Sequence, residues 1–460
     1  MPRVSAGNIY AATRRWMVLT VSIFCIINRP AAQTSTPQFQ PVSPNQRPAT
    51  MQPTYFNDPY REQNNRFQQQ GGMTTPGQSQ TPAKQSPAQF WKEQKKEEAE
   101  SRRLKSMVWG EKYQKAFQQF LRLNPDSFSI TKAVYLVEST YYDPHSAPTY
   151  ERFEASIKVC ANIVRQIMKK EGLNQSDNTA IMYAIQKLFQ QPNLYYDSMA
   201  NKSFWVPALH YDLNDFMGDN DWKQMFVTKV LLTGTGQCHN LPILVLSIAE
   251  QLHAKAYLSL APNHSFIQYF GSNGTRYNFE TTNGNLVTQT WLMQSTGINA
   301  TALKNRTYLD SLSSRKLYAQ CLGDMLQGCL KRSECYNTAC KQIADTILAL
   351  DSTNLTALIT QAQLYTFAYK DLLQEANHPP QKLYALYPEL NNAYQHMRLY
   401  QKKLEARGFQ PISRNDYRKW LKLAESEQQK QQSQQEKEQL QREINRLRKQ
   451  PSTLKNNPKG

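Results

Sequence analysis

The chain divides by the period of its apolar residues. From Gln33 to about residue 87 there is none: Gln, Pro, Ser, Thr and Asn alternate with scattered aromatics such as Tyr55, Phe56 and Tyr60, so no face can be buried. Residues 33–87 are expected to be a disordered tether. From Ala88 to about Leu123, Met107, Val108, Tyr113, Phe117, Phe120 and Leu121 recur at helical spacing, and Asn124-Pro125 ends the run. Helices are also expected over 129–142, over 149–171 with Phe153, Ile157, Cys160, Val164 and Ile167 on one stripe, and from Ser176 to before Pro192. Residues 88–192 therefore read as a helical lead-in, and Cys160 as part of its core.

Periodicity is lost between Asn193 and Lys229, where Tyr211, Phe216, Trp222 and Phe226 accumulate beside Asp212, Asp215, Asp219 and Asp221. Such a stretch either lines a cleft or packs over a core. Its acids lack the spacing of a calcium loop, and no metal is assigned. Order returns at Gly234-Thr-Gly236, after which Gln237 to Leu252 is apolar around nearly its whole circumference, as a buried central helix should be. Pro242 falls in its first turn, where no amide hydrogen is needed. Strands follow at 256–260, 264–270 and 275–282.

Candidate chemistry sits at the joints of these elements. Cys238 opens the central helix, where unpaired amides and the helix dipole favour a thiolate. His264 opens the second strand and Glu280 lies near the end of the third. Each has a bland reading: a half-buried cysteine, a strand histidine satisfied by a carbonyl, a solvated edge acid. Together they form a thiol nucleophile, its base and the acid that orients the base. The turn Ser272-Asn273-Gly274 decides whether they can meet. A two-residue loop puts His264 and Glu280 on opposite faces of the sheet, whereas a three-residue loop with Gly274 left-handed puts both on one face. His239 points about 100° away from Cys238 on a helix and ranks below His264.

Gly236-Gln-Cys238 opening a buried helix, a strand beginning at His264, and Phe279-Glu280-Thr-Thr282 resemble the transglutaminase-like superfamily of papain-like fold. The resemblance covers roughly Phe226 to Gly284. It implies a Cys238, His264, Glu280 triad, with Glu280 in place of the usual Asp, and acyl transfer or hydrolysis at an amide of a peptide or protein substrate without a cofactor. The Cys238 amide and Gln237 or Trp222 are the candidate oxyanion donors. A domain over 193–312 is expected on this basis. A catalytically idle domain of the same fold, serving as a binding module, is the alternative.

The rest of the chain adds setting. Residues 1–32 order Arg14-Arg15, the apolar run Trp16 to Ile27 and Ala31-Ala32 as a secretory signal peptide does, so the mature protein is expected outside the cytoplasm, periplasmic or extracellular, with no membrane span. The net charge of +18 is spread thinly, and export argues against a nucleic-acid partner. Residues 313–425 read as paired helices. Ile347 to Ala357 resembles a tetratricopeptide-repeat junction, which implies a surface for a protein partner. Within it Cys321, Cys329, Cys335 and Cys340 suggest two disulfides, for which a helical hairpin favours Cys321 with Cys340 and Cys329 with Cys335; a zinc site is the alternative. Asn299-Ala-Thr and Asn305-Arg-Thr fit glycosylation acceptors. Residues 426–460 are polar and end basic, as expected of a solvated helix or a disordered tail. The whole is expected to be an α+β protein: helical lead-in, central helix on a small antiparallel sheet, then a repeat-like helical region.

Overall fold

The computed structural model describes residues 87–198, 200–376, 388–412, 414–424 and 427–449. The expected signal peptide and nearly all of the tether lie outside them, as do residues 450–460. The described chain mixes helix and sheet. Among the described residues no helix is long and apolar enough to cross a membrane.

Four helices lead in: α1 (Pro87–Phe120), α2 (Ile130–Tyr141), α3 (Tyr150–Lys170) and α4 (Asn178–Gln190). Ser129, Thr149 and Asp177 start the last three by accepting first-turn amides on their side-chain oxygens. The aperiodic stretch that follows makes a ribbon, β1 (Asn193–Asp197) with β2 (Lys202–Val206), and then β3 (His210–Tyr211). β3 pairs in parallel with β4 (Thr235–Gly236), across the short α5 (Val227–Thr233). Next come α6 (Asn240–Gln251) and an antiparallel sheet in the order β5 (Ala256–Ala261), β6 (His264–Phe270), β7 (Arg276–Glu280) and β8 (Asn285–Val287).

The all-round apolar character of α6 has a direct cause. It touches β5 and β6 on one side and α2, α3, α4 and α5 on the others, so Leu241, Leu244, Val245 and Ile248 are all fully buried. Each such side chain contributes about 1.5–3 kcal/mol by leaving water. Downstream lie α7 (Gln289–Thr296), α8 (Ala300–Lys304), α9 (Ser314–Ser333), α10 (Thr338–Leu350), α11 (Leu355–Ala376), α12 (Pro388–Ala406), α13 (Arg414–Ala424) and α14 (Glu427–Lys449). Helices α9 and α10 share a second core with α1, in which Tyr113, Phe120, Leu322 and Ile343 meet.

Three expectations need correction. The polar composition after residue 426 predicts solvation or disorder, but α14 docks on the sheet: Leu440 and Ile444 enter the main core. Its buried Glu443 accepts hydrogen bonds from Thr179 Oγ1 at 3.0 Å and Tyr277 Oη at 2.9 Å. One short apolar seam plus one partnered acid suffices, too little to register as a periodicity. Around α9 and α10 the sulfurs brought together are those of Cys329 and Cys340, 3.0 Å apart, which is neither expected pairing. The turn between the helices lies at Glu334–Asn337, so the residues placed symmetrically about it differ from those chosen for a hairpin centred earlier. Finally, the Asn299 and Asn305 side-chain amides are already engaged, donating to the Gly408 and Ala406 carbonyls.

Candidate active site

Cys238 is held by the turn that enters α6. Gly236 packs so tightly that a Cβ there would come within 2.6 Å of Asn240 Oδ1 and 2.7 Å of Val230 Cγ2. The fully buried Asn240 uses its side chain on both sides: Oδ1 accepts the Gln237 amide at 2.6 Å, and Nδ2 donates to the Gln224 and Phe226 carbonyls at 2.8 Å each. The Leu241 amide donates to the Gln237 carbonyl, so helical hydrogen bonding begins there although the regular helix starts at Asn240. Cys238 therefore stands at the amino end of α6, as its neighbours predict. Its carbonyl accepts Ser265 Oγ at 2.6 Å, which ties the turn to β6 beside His264.

The β6–β7 turn is the three-residue form. The Gly271 amide donates to Thr275 O at 2.8 Å, the Gly274 amide closes onto Gly271 O, and Gly274 is left-handed with φ 82°. Phe270 pairs with Arg276 and Ile267 with Phe279, a register that sets His264 opposite Thr282 and Glu280 opposite Phe266. Both side chains share one face. His264 Nε2 lies 2.6 Å from Glu280 Oε2, and neither side chain has any exposed surface. Glu280 Oε1 accepts the Thr282 amide at 2.9 Å, which fixes the carboxylate.

That arrangement leaves His264 Nδ1 buried and outside hydrogen-bond geometry to a fixed partner. The ring acts on Cys238 all the same. Burial pushes the thiol up, but the interaction with His264, joined by the Tyr417 hydroxyl and the His239 charge, brings it net below its ordinary value. Burial likewise disfavours a charged His264, yet the Glu280 carboxylate and the Cys238 sulfur raise it to about 10. Both shifts run in the direction of moving the proton from Cys238 to His264.

A helix distant in sequence completes the site. Helix α13 turns Tyr417, Trp420 and Leu421 inward, and Tyr417 Oη donates to Cys238 Sγ at 2.9 Å. The Trp420 ring lies 4.3 Å from the His264 ring centre to centre, and its Nε1 donates to Ser295 Oγ at 3.2 Å. From the aperiodic stretch come Phe216, stacked on Tyr417 at 5.5 Å, and Tyr211, whose hydroxyl is 3.5 Å from that of Tyr417. That stretch thus serves the site in part. The available signal was the inward spacing of Tyr417, Trp420 and Leu421 in an otherwise charged segment, which shows an amphipathic helix but not its partner.

On its other side Cys238 lines an open cavity of about 240 Å³ together with His264, Arg306, Lys316, Asp351 and Arg407. The expected oxyanion donors are placed differently. Gln237 is fully buried and its Nε2 donates to Asn214 O at 3.3 Å, while Trp222 lines a separate small cavity with Glu138 and Asp324. Neither reaches the thiol cavity. His239 does line that cavity, but its ring pairs with Asp324 at 3.3 Å; burial opposes its charge, and Asp324 raises it to about 9. Comparison of the chain with protein-family models, curated proteins and solved structures finds no match.

Proposed function

We propose that the protein is a thiol enzyme of transglutaminase-like, papain-like fold that attacks an amide carbonyl through Cys238. The observation that carries the reading is the buried His264–Glu280 pair at 2.6 Å, set beside a cysteine whose thiol is drawn below its ordinary range. Cys238 Sγ bonds to the carbonyl carbon while the carbonyl π pair moves to oxygen. As that intermediate collapses, the carbon–nitrogen bond breaks and His264 gives its proton to the departing amine, leaving a thioester. Water or a second amine then attacks the thioester carbon, with neutral His264 taking the proton. The intermediate collapses by breaking the carbon–sulfur bond, which frees the acyl product and returns Cys238 as the thiolate beside protonated His264. Glu280 holds the ring orientation throughout. With Gln237 and Trp222 out of reach, the Cys238 amide at the head of α6 is the oxyanion donor in this scheme.

The substrate is a peptide or protein segment entering through the open cavity, whose charged and hydroxyl-bearing walls suit a polar chain. Export by the amino-terminal signal and a partner surface on the repeat-like helices belong to the same proposal. A second reading has one observation in its favour: Cys238 is only 9% exposed, under the Tyr417 hydroxyl. Such cover suits an idle domain of this fold acting as a binding module.

Trapping separates the two. Incubation with a peptidyl p-nitrophenyl ester at pH 7 should add the acyl mass to the peptide containing Cys238, and Cys238→Ala should remove that adduct. An intact protein that releases p-nitrophenol no faster than the Cys238→Ala variant and gains no acyl mass would leave only the binding module.

A further inference from the structure

We propose that Cys329 and Cys340 form an intrachain disulfide that staples α9 to α10. Cys329 lies in the last two turns of α9 and Cys340 in the first turn of α10. Both are fully buried, and their sulfurs are 3.0 Å apart. A disulfide bond is about 2.05 Å long, so closing it needs an approach of only about 1 Å.

The local structure brings these two thiols together and keeps the others out. Glu334 ends α9 in a left-handed conformation, with φ 53°. Asn337 then caps α10, accepting the Cys340 amide on Oδ1 at 3.0 Å and donating from Nδ2 to Ser333 Oγ at 2.9 Å. The cap fixes both helix ends around the sulfur pair. Cys335, in the turn, points instead to Ser106 Oγ of α1 at 2.9 Å. Cys321 lies eight residues before Cys329 on the same helix, about 12 Å away along its axis from the 1.5 Å rise per residue. A bridge spans at most about 7 Å between Cα atoms, so Cys321 cannot reach Cys340 while Cys329 stays beside it.

The oxidant is a disulfide, either glutathione disulfide or a protein disulfide of the exporting compartment. The Cys329 thiolate attacks it, forming a mixed disulfide and releasing one thiol. The Cys340 thiolate then attacks the Cys329 sulfur, forming the internal bond and releasing the second thiol. Two protein thiols lose two electrons and two protons, and the oxidant is reduced to two thiols. Because the pair is buried under Tyr113 of α1, exchange takes place during folding, before α1 closes.

The test is mass mapping of the full chain refolded with reduced and oxidised glutathione, then denatured and alkylated with iodoacetamide without reduction. Trypsin cuts after Lys316, Lys331, Arg332 and Lys341, so peptides 317–331 and 333–341 each carry two of these cysteines. The expected product is the two peptides joined by one bond, with alkyl groups on Cys321 and Cys335 located by fragmentation. Cys335→Ser should keep the bond, and Cys340→Ser should abolish it. Recovery of both peptides unlinked and fully alkylated would overturn the proposal. So would a link that fragmentation places at Cys321 with Cys340 or at Cys329 with Cys335, whether alone or as a pair of bonds.

Discussion

Replacing Tyr417 by Phe removes a single hydroxyl, the one that donates to Cys238 Sγ at 2.9 Å, and leaves the stacking on Phe216 in place. A hydrogen bond to a charged group is worth about 1.5–3 kcal/mol, and about 1.4 kcal/mol corresponds to one pKa unit, so the thiol should rise by about one to two units. Below both pKa values the thiolate population then falls about 10- to 100-fold. A more basic thiolate is also more nucleophilic, with a Brønsted slope of about 0.4–0.5, which returns part of the loss. The net expectation is alkylation about three- to tenfold slower at low pH and about three- to tenfold faster once both thiols are ionised. The assay is the rate of Cys238 carbamidomethylation by iodoacetamide in wild type and Tyr417→Phe between pH 5 and 11, followed by peptide mass. Two crossing curves with displaced midpoints are predicted. Curves that superimpose, or differ by one constant factor at every pH, would refute the role given to the hydroxyl.

Other perturbations probe the supports of the site. Glu280→Gln leaves a buried imidazole without its carboxylate and should cost roughly 3 kcal/mol or more in urea unfolding at neutral pH, because the pair is wholly removed from water. Gly236→Ala forces a methyl against Asn240 and Val230 and should lower stability by about 1–3 kcal/mol while slowing Cys238 labelling; unchanged values for both would show that the turn tolerates a side chain. His239 is raised from its ordinary 6.5 to about 9 when folded, so the stability it supplies is complete below pH 6.5 and lost as pH rises through about 9. Asp324→Asn should therefore cost on the order of 1 kcal/mol at pH 6, after discounting for partial exposure, and almost nothing at pH 10. Urea titrations at the two pH values check this, and an equal deficit at both would contradict it.

What the sequence revealed and what it hid follow from the range of the forces involved. Local rules placed the lead-in helices, the all-apolar α6 and the β6–β7 hairpin. Cys238, His264 and Glu280 were legible because a helix start and a two-strand register relate them within one short segment. The facing of His264 and Glu280 depended only on the length of the loop at Gly274. Tyr417 and Trp420 were hidden because their contacts with Cys238 and His264 cross a long stretch of sequence, and one amphipathic helix does not name the surface it covers. Glu443 was hidden in the same way, as a single buried acid in a charged helix whose partners Thr179 and Tyr277 lie in distant elements. The misplaced cysteine pairing came from the length of α9, which runs to Ser333 and shifts the hairpin turn.

The central claim is that Cys238 is the thiolate of this chain, and competitive alkylation tests it most directly. Native protein is treated at pH 7 with limiting iodoacetamide, and the extent of modification is read at each described cysteine. Cys238 should be modified first, ahead of the more exposed Cys335 and ahead of Cys160, whose thiol burial pushes up to about 12. Cys335 or Cys160 reacting while Cys238 stays unmodified would contradict the account.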